Sequence, residues 1–156
     1  MASIERKWAP PGRLGVDLDS NWANLKGEIE GELAFIRVNE GLKPVVGHPD
    51  YDHRVIVSIL FNDIRDDGMP GSKDELNEID QVEDVYRGAL QARQESLLAL
   101  VVTTNGRRDL IFYSSSAPGA INKFENDLQP LAETHQVELM VHPDENWELY
   151  QDFTGS

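Results

Sequence analysis

The stretch HRVIVSILFNDIRDDGMPGSKDEL, residues 53–76, changes periodicity partway along, and that change decides the fold. Val55, Val57, Ile59 and Phe61 point one way and Ile56, Ser58 and Leu60 the other, the alternation of a strand. Both sides are mostly apolar, so this strand is central rather than at an edge. The same stretch ends in a capping box, Ser72-Lys73-Asp74-Glu75. Its Ser72 hydroxyl accepts from the Glu75 amide, and the Glu75 side chain reaches back to the Ser72 amide. Asp74 sits where the helix dipole is positive, and Gly68, Pro70 and Gly71 supply the turn between strand and helix.

The predicted helix runs over Lys73–Gln94, with Leu76, Ile79, Val82, Tyr86, Ala89 and Leu90 on its apolar face. Asp80, Asp84, Arg87 and Gln91 lie opposite. The aspartates of the turn do not make it a calcium loop, because Arg65 stands between Asp63 and Asp67 where a ligand is needed. Nor is it a phosphate loop, since no Gly-Lys-Ser/Thr follows and the acids repel the ligand.

Outward from this unit, ELAFIRV (within Glu32–Val38) reads as an earlier strand closed by NEGLKP. SLLALVVTT and RRDLIFYSS are strands joined by Asn105-Gly106, a hairpin signal. Leu110 and Phe112 share one face, Ile111 and Tyr113 the other. A second helix enters through Ser116 and Pro118 and carries Ile121, Phe124, Leu128 and Leu131, with Pro130 ending or kinking it. VELMVH is a last strand, and DENWELYQDF a short helix capped by Asp144, with Trp147, Tyr150 and Phe153 available for burial. The order from residue 53 is β-α-β-β-α-β, so the expected fold is α+β, a ferredoxin-like sandwich with an extra N-terminal strand and a short C-terminal helix. Residues 1–30 read as an irregular arm, with Trp8 and Trp22 tucked onto the body, and residues 31–156 as one domain. Two helices cover one sheet face. The other carries Ile56, Leu60, Ile111, Tyr113 and Met140 and needs the arm, the C-terminal helix or a second chain to cover it.

The 28 acidic and 14 basic residues give a formal net charge of −14, which argues against direct nucleic-acid binding and attachment to anionic membranes. A basic partner would be steered in. The chain has no cysteine, no apolar leader and no run long enough to span a membrane, so the expected home is the cytoplasm.

No catalytic constellation, metal site or cofactor is expected. GHPDYDH offers His48, Asp50, Asp52 and His53, but histidines at this separation on a Pro-containing loop match no ligand pattern. The serines of YSSSAPG lack the nucleophile elbow, and no dinucleotide fingerprint is present.

Three pieces in order, DDGMPGSKDELNEIDQVED, TNGRRDLIFYSSS and HPDENWELYQDF, resemble the bacterial domain of unknown function 695 family, itself similar to the ribonuclease E activity regulator B proteins. The family pattern falls on Gly68, Pro70 and Glu83; on Gly106, Arg107, Phe112 and Tyr113; and on Asp144, Trp147 and Tyr150. The resemblance implies a ferredoxin-like fold, no known catalytic residues, and action through protein–protein contact. The expected function is therefore a non-enzymatic acidic module that binds a basic protein such as a ribonuclease or nuclease toxin. Asp74, Asp80 and Asp84 on the long helix, extended by Glu145 and Glu148, are the candidate binding residues. Six acids and no base lie between Asp74 and Asp84. The alternative is an enzyme or small-ligand binder using Arg107, Arg108, Tyr113 and His142 near the sheet.

Overall fold

In the computed structural model, which describes residues 8–15, 21–128 and 134–154, the alternating stretch forms strand β3, His53–Leu60. The other strands are β1 (Trp22–Ile29), β2 (Glu32–Asn39), β4 (Ser96–Thr104), β5 (Arg107–Ser114) and β6 (Val137–Pro143). They form one antiparallel sheet in the order β1-β2-β4-β5-β3-β6. Helix α1 (Lys73–Leu90) connects β3 to β4, α2 (Ala117–Lys123) lies between β5 and β6, and α3 (Glu148–Thr154) follows β6. The protein is thus α+β, as its residue pattern predicts.

The sheet is apolar on both faces. Val55, Val57, Ile59, Leu110 and Phe112 pack with Ile79, Val82, Tyr86 and Leu90 of α1 and with Phe124 and Leu128 beyond α2. Ala34, Ile36, Val38, Ile111 and Tyr113 form the opposite cluster with Leu42, Tyr51, Trp147 and Tyr150. In β4 the register with β5 shifts between Leu98 and Leu100. Ala99 and Leu100 both join the second cluster while Leu98 and Val101 serve the first, which is the effect of a bulge.

Part of the predicted cover of the second face is supplied by the C-terminal segment, beside Leu42, Val45 and Tyr51. The Trp147 ring stacks on Tyr113 at 4.0 Å and 6°, and its Nε1–H donates to the Tyr51 carbonyl at 2.8 Å. The Tyr150 hydroxyl donates to the Asn39 carbonyl at 2.7 Å. Asp144 caps α3, accepting from the Glu148 amide at 2.7 Å and the Leu149 amide at 3.2 Å, and it also accepts from the Tyr113 hydroxyl. Cover is incomplete at β6, where Met140 remains 51% exposed.

Four expectations need correction. Trp22–Ile29 is not irregular: it is edge strand β1, paired with β2 through Glu30 and Gly31, both at positive φ. Its polar Asn24, Lys26 and Glu28 dilute the strand pattern. Helix α1 ends at Leu90 rather than Gln94, because Arg93 adopts φ 57° and a short 3-10 turn takes over. Leu76 lies beside the apolar face rather than in it and is exposed. The second helix is α-helical only to Lys123 and continues as a π turn over Phe124–Leu128; Pro130 and Leu131 lie outside the described residues. The Asn105-Gly106 turn and the Ser116 cap follow the sequence, with positive φ at both turn residues and Ser116 Oγ accepting from the Gly119 amide.

Trp147→Ala removes a fully buried ring and its hydrogen bond. It is expected to cost about 3–5 kcal/mol in a denaturant titration. An unchanged midpoint would show that the second face does not need this clamp.

Candidate functional site

The turn between β3 and α1 is shaped by its own backbone and by the neighbouring hairpin. The Arg65 amide donates to the Met69 carbonyl and the Gly71 amide to the Asp63 carbonyl, while Met69 is buried. The Gly106 amide donates to the Gly68 carbonyl at 2.8 Å, and the Phe61 amide to the Gly106 carbonyl at 2.9 Å. Gly68 has φ +84°, and a Cβ there would lie 2.9 Å from the Asn105 backbone, so a side chain is excluded twice over. Arg65 pairs with Asp67 at 3.1 Å rather than leaving that carboxylate for a cation. The Met69 amide and then Arg65 hold the Asp67 carboxyl below its usual range.

Half of the expected capping box forms. Ser72 Oγ accepts from the Glu75 amide at 3.1 Å, but Glu75 does not return to Ser72. Its Oε2 accepts from the Asn62 and Asp63 amides, each at 2.6 Å, and its Oε1 faces His135 Nε2 at 2.5 Å. His135 has a fully buried side chain, and its Nδ1 lies 2.9 Å from Thr134 Oγ1. One carboxylate thus joins the turn just after β3, the first turn of α1 and the segment leading into β6. Nothing in local spacing announces a contact across 60 residues. Burial pushes the Glu75 carboxyl upward. Hydrogen bonds from the Asp63 amide, His135 and the Asn62 amide outweigh burial and leave the group below its ordinary value.

The acidic face of α1 is partly spent inside the protein. Arg108, nearly buried, reaches Asp80 at 2.7 Å and Glu83 at 3.1 Å, and Arg37 also pairs with Glu83. Of the six acids between Asp74 and Asp84, Glu75 and Glu83 are buried and Asp80 is paired. Asp74, Glu78 and Asp84 are left exposed. Around α3, Glu145, Glu148 and Asp152 are exposed with no base from Asp144 to Thr154. The two groups do not form one surface: α1 packs on the first face of the sheet and Trp147 and Tyr150 on the other. The expected continuity from Asp74, Asp80 and Asp84 to Glu145 and Glu148 is therefore replaced by two separate acidic patches.

The residues of the ligand-binding alternative do not converge. Arg107 is exposed and pairs with Asp109 at 3.3 Å, while Arg108 is tied to α1. Tyr113 is buried beneath Trp147, and His142 is exposed on β6. His48 is buried, with Nδ1 accepting from the Asp50 amide and Nε2 donating to the Ala9 carbonyl, and His53 pairs with Asp52 at 2.8 Å. A groove of about 420 Å³ does open beside the turn, lined by Phe35, Met69, Pro70, Leu76, Lys73 and Arg108 among others.

Two outcomes follow. Because the Glu75 pKa is lowered from 4.5, its stabilisation is complete above that value and fades as pH falls through the folded value. Glu75→Gln is expected to cost about 3 kcal/mol in urea unfolding near neutrality, with the difference from wild type shrinking in acid. Asp80→Lys, set against Arg108, is expected to cost about 1–2 kcal/mol, while Asp84→Lys stays within about 0.5 kcal/mol by the same assay.

No curated protein and no solved structure gives a significant match to the chain. A family model described as a family of unknown function, DUF695, matches residues 20–154, a span that takes in the six strands and three α-helices of the described residues. The chain belongs to this family.

Proposed function

We propose that the protein is a non-enzymatic acidic binding module that docks on a basic protein partner, a ribonuclease or nuclease toxin being the class that suits its charge. The observation that carries the reading is the set of exposed carboxylates left after internal pairing: Asp74 and Asp84 on α1, and Glu145 and Glu148 by α3. An uncompensated acidic surface accelerates encounter with a basic protein and repels nucleic acid. Asp80 belongs to this surface by position, with more than half of its side chain exposed, but its charge is already answered by Arg108.

The fold reading that accompanies this function is ferredoxin-like. In its favour, β4, β5, β3 and β6 are neighbours in that order, and α1 and α2 make the two crossovers. Similarity to the ribonuclease E activity regulator B proteins would place the action in contact with a ribonuclease. A cytoplasmic home fits such a target, and no helix among the described residues is long and apolar enough to cross a membrane.

The test is affinity capture on the full chain at low and high salt, followed by calorimetry of each captured protein against two double variants. The expected partner is basic and held only at low salt. Either Asp74→Lys/Asp84→Lys or Glu145→Lys/Glu148→Lys should weaken it about tenfold or more. Equal affinity for wild type and both variants would overturn the reading.

A further inference from the structure

We propose that Glu75, Glu78 and His135 form a binding site for a divalent transition-metal ion of the zinc type. One donor atom from each of the three lies within 4.8 Å of the others, close enough for a single ion to bridge after small side-chain shifts. Glu75 and Glu78 stand three apart on α1 and share a face; His135 arrives from the segment before β6. The set is one imidazole nitrogen and two carboxylates. Such a set suits zinc, cobalt or manganese, whereas calcium and magnesium prefer oxygen alone.

The surroundings of the donors are those of prepared ligands. Glu75 is fixed through Oε2 by two backbone amides, which leaves Oε1 directed at the site. His135 is fixed through Nδ1 by the Thr134 hydroxyl, which leaves Nε2 directed there too. The 2.5 Å contact between Nε2 and Glu75 Oε1 is held by a proton when no ion is bound, and a bound ion takes that proton's place as the two atoms move slightly apart. Outer hydrogen bonds such as that between His135 and Thr134 orient ligands in known metal sites.

Glu78 is what a plain buried hydrogen bond between Glu75 and His135 leaves unexplained. It adds a second negative charge beside a pair that is already satisfied, and among the described residues it makes no hydrogen bond or ion pair. With neutral imidazole the cluster carries two negative charges, which one divalent ion balances. Glu78 is exposed while its two companions are buried, so the site opens to solvent on that side and keeps room for water beside the three protein ligands. The acidity of the chain raises the local concentration of cations around it.

The same lack of internal contacts makes Glu78 the clean place to test the site. Chelator-stripped full-length protein would be titrated with zinc chloride by calorimetry, beside Glu78→Gln and His135→Asn, with magnesium chloride as the hard-cation control. The expected result is one zinc per chain for wild type and no comparable binding of magnesium. Glu78→Gln should bind zinc about tenfold or more weakly, with an unchanged melting temperature before metal is added. His135→Asn should bind weakly also; should it fail to fold, Glu78→Gln decides alone. Absence of stoichiometric zinc binding, or equal zinc affinity in wild type and Glu78→Gln, would overturn the proposal.

Discussion

Strand β4 is buried at every one of its nine positions, and the layering of the molecule follows from covering it twice. A strand apolar on both faces cannot lie at the surface, so each face of the sheet needs its own lid. Helices α1 and α2 give the first in the ordinary way, through aliphatic residues at helical spacing. The second is irregular. It is assembled from the 3-10 segment after β2, the loop that carries Tyr51, and the aromatic C-terminal segment. An irregular lid must satisfy its own backbone and its ring donors, which explains why Trp147, Tyr150 and Asp144 each make a hydrogen bond as well as a packing contact.

The second organising feature is the use of charge inside a strongly acidic chain. Arg108 and Arg37 hold Glu83, and Arg108 also holds Asp80, so α1 is locked over β5 and β2 by ions at the margin of its apolar face. The Arg108–Glu83 pair, buried on both sides, adds little net stability, since desolvation offsets most of its attraction, but losing one partner is costly. The ion pairs fix how the helix sits. Residues that carry the resemblance drawn from the sequence fall in the same places: Glu83 in this network, Gly68 and Gly106 where turn meets hairpin, and Asp144, Trp147 and Tyr150 in the second lid. These positions specify the scaffold, and the exposed acids lie outside them.

Much of this was legible in the residues, for identifiable reasons. The alternation from Val55 to Phe61, the Asn-Gly turn and the period of Ile79, Val82, Tyr86 and Leu90 are local patterns with local causes. Burial of Trp147 and Tyr150 could be read because large aromatics at short helical spacing need a surface to cover. Strand β1 was hidden because an edge strand needs little apolar content. Glu75 was misread for a different reason: its capping position is real, but the carboxylate has better donors in Asn62, Asp63 and His135 than in Ser72. The internal pairing of Asp80 and Glu83 depends on where β2 and β5 lie relative to α1, which no spacing within the helix encodes.

The second lid also has a consequence for synthesis. Its key bonds reach far along the chain: Trp147 to Tyr51 across 96 residues and Tyr150 to Asn39 across 111. A ribosome makes this segment after every strand that it covers. Until Trp147 and Tyr150 have emerged, Ile36, Val38, Leu100 and Tyr113 have nothing to complete their cover, however well the helical side has already assembled. The nascent chain therefore carries a half-finished apolar surface from the completion of β5 until that segment emerges. Trp147 and Tyr150 act as the stopper that ends its exposure to chaperones and to other nascent chains.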